Sequence, residues 1–327
     1  MISTMMPCEI PTDIIENMNR QPMPDENNIA AYIPHKALTA GLASMATVTL
    51  LIVMKTIMYV FSDSTSVLAS LVDSLGDGTV SLMTYFAIRF SLKPADDNHR
   101  SGHGKIEGLA ALFQASLIML AGLALLWESG RRLMNPQPVE YHELAIAVML
   151  VSIVLSVVLV RIQARVLKEA PSLAVEADQA HYSTDIIVNA GVIVVLLALM
   201  AGAPVWIDAL FAVLVVGYLG WAARGIAMMG LDMLLDRELP EDIRQAISAC
   251  VVAHPGVKGL HDLRTSKSGM RVFMSFDIEI DGGMTLTDAH EISRDLEHRL
   301  LRDFPHAEIM IHIDPYGDPD DTRHNVR

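Results

Sequence analysis

Long apolar runs separated by short polar gaps fill the first two thirds of the chain, and beyond Leu239 the texture changes to short segments of mixed polarity. A helix needs about 20 apolar residues to cross the hydrocarbon core of a bilayer. Six stretches meet or approach that length, at 38–61, 66–90, 106–134, 144–167, 177–201 and 205–235. The fourth and sixth are plainly apolar. The second, third and fifth carry polar residues along one stripe, which must face protein or water and so mark candidate functional positions.

After Leu239 the pattern shortens. Residues 240–254 read as an amphipathic helix opened by Pro240, Glu241 and Asp242. Residues 259–265 and 271–281 alternate like strands. Residues 285–304 return to helical spacing at Leu286, Ala289, Ile292, Leu296 and Leu300. A last strand is predicted at 308–313. Helix–strand–strand–helix–strand describes a small open-faced α+β sandwich. The predicted organisation is an N-terminal disordered tail at 1–34 with a short amphipathic turn near Ile14, a six-helix membrane domain at 35–238, a small domain at 239–316 and a polar tail at 317–327.

Basic residues set the predicted orientation. Lys36, Lys93, Arg100, Lys105, Arg161, Arg165 and Lys168 fall before the first span and in the second-to-third and fourth-to-fifth connections. The opposite connections at 62–65, 135–142 and 202–204 hold no Lys or Arg, with Arg131 and Arg132 as the exception at the end of the third span. Both termini are therefore expected in the cytoplasm. Lys55, inside the first span, is read as a lysine snorkelling outward along its helix.

Composition narrows the class. Hydrophobic residues make up 52% of the 327 and charged residues 19%, below the roughly 25% of an average soluble domain. The net charge of -14 lacks the basic footprint that nucleic-acid binding requires, and 6% aromatic content offers little stacking surface. Cys8 and Cys250 match no metal or redox spacing and are read as free thiols.

The chemistry concentrates in three places. Asp73 and Asp77 are four apart in the second span, and His181 and Asp185 four apart in the fifth, with Asn189 continuing the stripe. At about 3.6 residues per turn each pair shares one helix face. Two carboxylates side by side in a low dielectric repel unless a cation or proton joins them. Three carboxylates and one imidazole make a four-ligand set suited to tetrahedral zinc. Protons compete for the same ligands, and imidazole with an unperturbed pKa of ~6.5 makes that exchange reasonable near neutrality. The second-to-third connection places Asp96, Asp97, His99 and His103 within eight positions, a second candidate metal site. In the small domain His261, Asp262, Asp277, His290, His312 and Asp314 fall on or beside the predicted elements, and His312 and Asp314 share one strand face.

These motifs resemble the cation diffusion facilitator family, in its bacterial zinc and iron efflux branch. The resemblance rests on Leu-Val-Asp73-Ser-Leu-Gly-Asp77, Pro-Ala-Asp96-Asp97-Asn-His99 through Gly-His103-Gly-Lys105, His181-Tyr-Ser-Thr-Asp185, Asp208-Ala-Leu-Phe-Ala, Leu-Leu-Asp236-Arg-Glu-Leu-Pro, His261-Asp-Leu-Arg-Thr and Ile-His312-Ile-Asp314-Pro. It implies a homodimeric inner-membrane antiporter with a ferredoxin-like (αββαβ) cytoplasmic domain, exchanging metal for protons by alternating access and needing no organic cofactor. By the same resemblance Asp73, Asp77, His181 and Asp185 form the transport site, and Asp96, His99 and His103 the loop site. His261, His290, His312 and Asp314 belong to a two-metal cytoplasmic site, and Lys105 and Asp236 form a charge interlock at the dimer junction. Asp277 stands where that branch has a histidine ligand, and carboxylate is a harder, less selective ligand than imidazole.

Two other classes compete. A metal-dependent intramembrane hydrolase needs an open coordination position and a general base, and the four-ligand set leaves neither. A divalent-cation channel needs weak multi-site binding rather than discrete tight sets. The donor set accepts Zn2+, Cd2+, Fe2+ or Co2+.

Overall fold

A computed structural model describes residues 26–62, 65–134, 142–204 and 206–317. The N-terminal tail with Cys8 and the residues after Gly317 lie outside them. Two compact units divide the chain, one at Met23–Asp232 and one that includes Met233–Arg327.

The first unit consists, among the described residues, of long helices: α1 Glu26–Ser62, α2 Thr65–Ser91, α3 Ile106–Met134, α4 His142–Glu169, α5 Leu173–Met200 and α6 Trp206–Leu234. Five of the six are long and apolar enough on composition to cross a bilayer, and the one that is not is α2. Its Asp73, Asp77 and serines lower its hydropathy, so the helix with the most chemistry gives the weakest span signal. Helix α1 begins at Glu26, ahead of both the predicted span and the predicted end of the tail. Hydropathy marks only the part of a helix inside hydrocarbon, whereas backbone hydrogen bonding continues into water.

Leu50, Val60, Trp127, Val154, Val194 and Trp221 are among many large apolar side chains that point outward. A soluble surface does not carry such continuous apolar cover, and lipid is the solvent that accepts it. Inside, small residues let backbones close. A Cβ built on Gly230 of α6 would sit 2.7 Å from the Gly108 carbonyl oxygen of α3, so the α3–α6 contact requires glycine there.

Buried polar groups tie the helices at one end. Glu107, 1% exposed, accepts from Ser91 Oγ at 2.5 Å, Ser172 Oγ at 2.8 Å and the Ala174 amide at 3.2 Å. One carboxylate thus joins the end of α2, the start of α3 and the first turn of α5, whose free amides favour an anion. Lys36 near the start of α1 pairs with Glu169 at the end of α4, as alternating up–down helices require.

The second unit holds α7 Glu241–Val252, β1 Gly259–Ser268, β2 Arg271–Ile280, α8 Leu286–Asp303 and β3 Ala307–Pro315, the predicted order. The sheet order is β1-β2-β3, with β1 antiparallel and β3 parallel to β2. Period-two alternation on β2 sends Phe276 and Ile278 into the core with Ile247 of α7 and Leu296 and Leu300 of α8. Thr285 caps α8 by accepting from the Asp288 amide at 3.2 Å. Both helices cover one sheet face and leave the other open. Cys250 is buried in this core and is not a free thiol, which corrects the sequence expectation, because spacing carries no information about thiol pairing.

Candidate metal centres

In the helical unit, Asp77 of α2 and His181 and Asp185 of α5 offer ligand atoms that all lie within 4.8 Å of one another. His181 Nε2 is 3.2 Å from Asp77 Oδ1 and 3.7 Å from Asp185 Oδ2. A single imidazole nitrogen therefore faces both carboxylates, the convergence that one cation demands. The i, i+4 spacing on α5 supplies half the arrangement, and the packing of α2 against α5 supplies Asp77.

Asp73 is not in this trio. It lies one turn toward the start of α2 and is exposed, because a helix face that turns slowly past its neighbour presents only one of its two carboxylates at the closest point. Asn189 does not join either, since its Nδ2 donates back to the Asp185 carbonyl at 2.8 Å.

Three further polar residues surround the trio. Lys55 is 4% exposed and donates to Ser74 Oγ at 2.6 Å and the Ser70 carbonyl at 3.0 Å, both on α2. It does not snorkel outward. The hydroxyl and carbonyl of α2 satisfy its ammonium inside the bundle, which overturns the sequence reading. Asp178 is fully buried and was not singled out in the sequence. Its Oδ2 accepts from Ser44 Oγ and from Gln163 Nε2, the latter at 2.6 Å, and Oδ1 from Thr84 Oγ1 at 3.4 Å. Gln114 Nε2 donates onward to Thr84 Oγ1 at 2.7 Å. One carboxylate thus links α1 through α5, just before His181 on its own helix. Its position three residues before His181 on the stripe was the available signal. Tyr182, beside the imidazole, bonds Ser81 at 2.8 Å.

The connection between α2 and α3 folds Asp96, His99 and His103 together, again within 4.8 Å. Asp96 Oδ1 lies 3.3 Å from His99 Nδ1, and Asp96 Oδ2 3.3 Å from His103 Nε2. Gly102, at φ 77, makes the turn that brings His103 back. The Asp96 carboxyl accepts the His99 amide at 2.7 Å and the Asn98 amide at 2.9 Å. The His99 amide, ahead of that of Asn98, holds this carboxyl below the usual carboxylate range. His103 faces Asp96 through Nε2, and its Nδ1 is buried without a hydrogen-bond partner among the described residues. Asp97 instead pairs with Arg100 at 3.1 Å.

On the open face of the small domain, His261 of β1, Asp277 of β2 and Asp314 of β3 form the third trio within 4.8 Å. His261 and Asp277 are cross-strand partners, and Asp277 is the partner of His312. His261 lies 3.8 Å from Asp277 Oδ2 through Nδ1 and 3.5 Å from Asp314 Oδ2 through Nε2. The register shifts just after His261, where Asp262 adopts φ 55. Such a bulge re-aims neighbouring side chains, and no sequence pattern announced it. His312 stands beside the trio, its side chain 66% exposed and Nε2 3.1 Å from Asp314 Oδ1. His290 is exposed on α8. Neither completes the three-residue set, because α8 covers the opposite sheet face and the His312 side chain leans to solvent.

Lys105 and Asp236 belong to different units. Lys105 precedes α3 and is half-buried. Asp236 adopts a left-handed φ of 54 in the turn after α6.

Comparison with known proteins gives a consistent set of relatives. Residues 41–235 match the family described as "Cation efflux transmembrane domain", and residues 239–316 match "Cation efflux protein, cytoplasmic domain". The chain is 44% identical over 276 residues to the cation-efflux pump FieF of Shewanella oneidensis, covering 84% of this chain and 93% of that protein. It is 40% identical over 285 residues to the cation-efflux pump FieF of Pectobacterium carotovorum, covering 86% and 95%. Among solved structures, the metal-bound C-terminal domain of the CzcD transporter from Thermotoga maritima is 32% identical, over 24% of this chain and 92% of that one, with a TM-score of 0.23.

Proposed function

The chain belongs to the cation efflux (cation diffusion facilitator) family, and on that premise we propose that it carries Zn2+ out of the cytoplasm in exchange for protons, as a homodimer in the cell inner membrane. As a member it is a multi-pass membrane transporter that exports divalent cations, not a hydrolase.

The observation that carries the proposal is the convergence of Asp77 and Asp185 on one nitrogen of His181 within the helical unit. An imidazole and two carboxylates are ligands for zinc. The fourth is Asp73, one turn along the face of α2. The same atoms accept protons, and buried carboxylates are costly when neither proton nor metal holds them. A site that must always be filled by one or the other couples the two flows, and alternating access exposes it to each side in turn. Cd2+, Fe2+ and Co2+ suit the same donors.

The loop trio of Asp96, His99 and His103 receives metal beside the helical unit. The sheet trio of His261, Asp277 and Asp314, with His312 and His290 as further donors, binds metal in the cytoplasm. Homodimerisation rests on the cytoplasmic domain's family match, with Lys105 and Asp236 as the charge interlock. Basic residues concentrated before α1 and in the α2–α3 and α4–α5 connections support cytoplasmic termini.

The deciding experiment reconstitutes the chain in proteoliposomes and measures uptake of Zn2+, Cd2+, Fe2+ and Co2+ with and without a pH gradient. Zinc uptake that rises with an opposing proton gradient and is lost in Asp77→Ala supports the reading. Zinc uptake indifferent to the gradient removes the exchange, and saturation at a channel's rate replaces it with conduction.

A further inference from the structure

Besides the buried acids Glu107 and Asp178, the helical unit buries a lysine that touches none of the trio's ligand atoms. Lys55 is buried in α1 at 4% exposure, and among the described residues no carboxylate forms an ion pair with it. Its ammonium is held by the Ser70 carbonyl at 3.0 Å and by Ser74 Oγ at 2.6 Å. Ser70 is one turn before Asp73 and Ser74 directly follows it, so the ammonium is anchored to the stretch of α2 that bears the site's carboxylates. The acidic groups within its electrostatic reach are Asp73, Asp77 and Asp185.

Elementary charge counting gives this placement a meaning. With Asp73 as the fourth ligand of the proposed site, its three ionised carboxylates beside a neutral imidazole carry three negative charges, and a divalent ion alone would leave one of them uncompensated. One ammonium anchored to the same stretch of α2 reduces the total to two, which a divalent ion cancels. A cation already resident also repels the arriving one, so the ion is held less tightly and leaves more readily. A transporter needs that balance, because binding that is too tight stalls release.

We infer that Lys55 is a specificity-determining residue that sets the charge of the transport site to match a divalent cation and keeps the bound ion releasable. It is a positioning charge, touching α2 rather than the ion. The inference rests on the reading of Asp77, His181 and Asp185 as a metal site. A purely structural lysine, clamping α1 to α2, accounts for the two hydrogen bonds but not for the choice of a charged group. Burying an ammonium is costly unless charge compensates it, and a neutral donor would clamp as well.

The two roles predict opposite effects on binding. Lys55→Met keeps the volume of the apolar stem and removes the charge. In the full-length protein in detergent, zinc titration calorimetry isolates the membrane site as the component that Asp77→Ala removes. For that component Lys55→Met should bind zinc at least about tenfold more tightly, since a like charge at close range has been deleted. Zinc flux in proteoliposomes should fall as release slows. Lys55→Arg should behave as the wild type. A Lys55→Met protein that folds and binds zinc as the wild type does, or more weakly, overturns the inference, because loss of a clamp does not tighten binding. Should Lys55→Met not fold, adding Asp73→Asn must restore folding, since it removes the carboxylate left uncompensated. Failure to restore it also overturns the inference. If the wild type shows no Asp77-dependent component, the metal site itself is lost, and Lys55 loses its role with it.

Discussion

The helical trio and the sheet trio hold the same donors, one imidazole and two carboxylates, yet they are built by opposite means. Asp77, His181 and Asp185 come from two helices, where i, i+4 spacing stacks side chains on one face. His261, Asp277 and Asp314 come from three adjacent strands, where cross-strand register brings together residues far apart in sequence. Their surroundings differ as well. The helical unit also buries Lys55 and the Asp178 network. The sheet trio is also half-buried, but it lies on the sheet face that the two helices leave uncovered rather than between helices with lipid-facing surfaces. Identical ligands should therefore behave differently. Charge without a partner costs several kcal/mol per ion inside a bundle and less beside water, so on the proposed function the helical site should couple metal to protons more strongly than the sheet site.

The sharpest way to break this comparison is to delete one carboxylate from the helical trio. Asp77→Ala should abolish zinc flux into proteoliposomes while the protein still purifies folded. The equivalent change on the sheet, Asp314→Ala, should leave measurable flux. Equal loss in both variants would mean that the sheet site is as necessary for transport as the bundle.

Proton competition should come next in size. An imidazole binds metal only as the neutral base, so zinc affinity at the helical site should fall as pH drops. Calorimetry between pH 7 and about 5.5, on protein with the loop and sheet ligands removed, measures this. A flat profile would detach protons from the site.

The sheet site offers a ligand exchange. Zinc prefers an added imidazole to a second carboxylate, so Asp277→His should raise zinc affinity there by roughly tenfold, about 1.4 kcal/mol. It should also strengthen zinc-dependent self-association, read by analytical ultracentrifugation of the full chain. If Asp277→His changes neither quantity while His261→Ala abolishes binding, Asp277 is a strand residue and not a ligand.

The smallest effect belongs to the loop between α2 and α3. Asp96 has its carboxyl held below the usual range by the His99 and Asn98 amides. A depressed carboxylate contributes order that is fully present above its unfolded value near ~3.9 and is lost as pH falls through the lower folded value. With metal chelated, amide exchange at Asn98 and His99 should thus show constant protection from neutrality down to about pH 4. Asp96→Asn should reduce that protection modestly at every pH. Protection already lost near pH 6 would point to the histidines as the groups that hold the loop.

The spans, the order of elements in the small domain and the two i, i+4 pairs were legible from spacing, because helix and strand periodicity are local properties of the backbone. Seeing that Asp77 and His181 belong together needed only two polar stripes in apolar spans. Locality also explains what was not legible. Lys55 was read as snorkelling, because its helix alone does not say that Ser70 and Ser74 wait on the neighbouring one. Asp178 was not singled out, because its role appears only where Ser44, Thr84 and Gln163 from other helices meet it. Asp73 and Asp77 are equivalent by spacing, and only the angle at which α2 passes α5 separates them. On the sheet, alternation placed His312 and Asp314 on one face, but the bulge at Asp262 and the pairing of His261 with Asp277 decided which donors meet. The sequence by itself determined where helices and strands lie and which chemistry their polar positions bring. Tertiary structure decided which of them converge, because the distance between two side chains on different elements depends on packing angle and register, and neither is written in the spacing of one element.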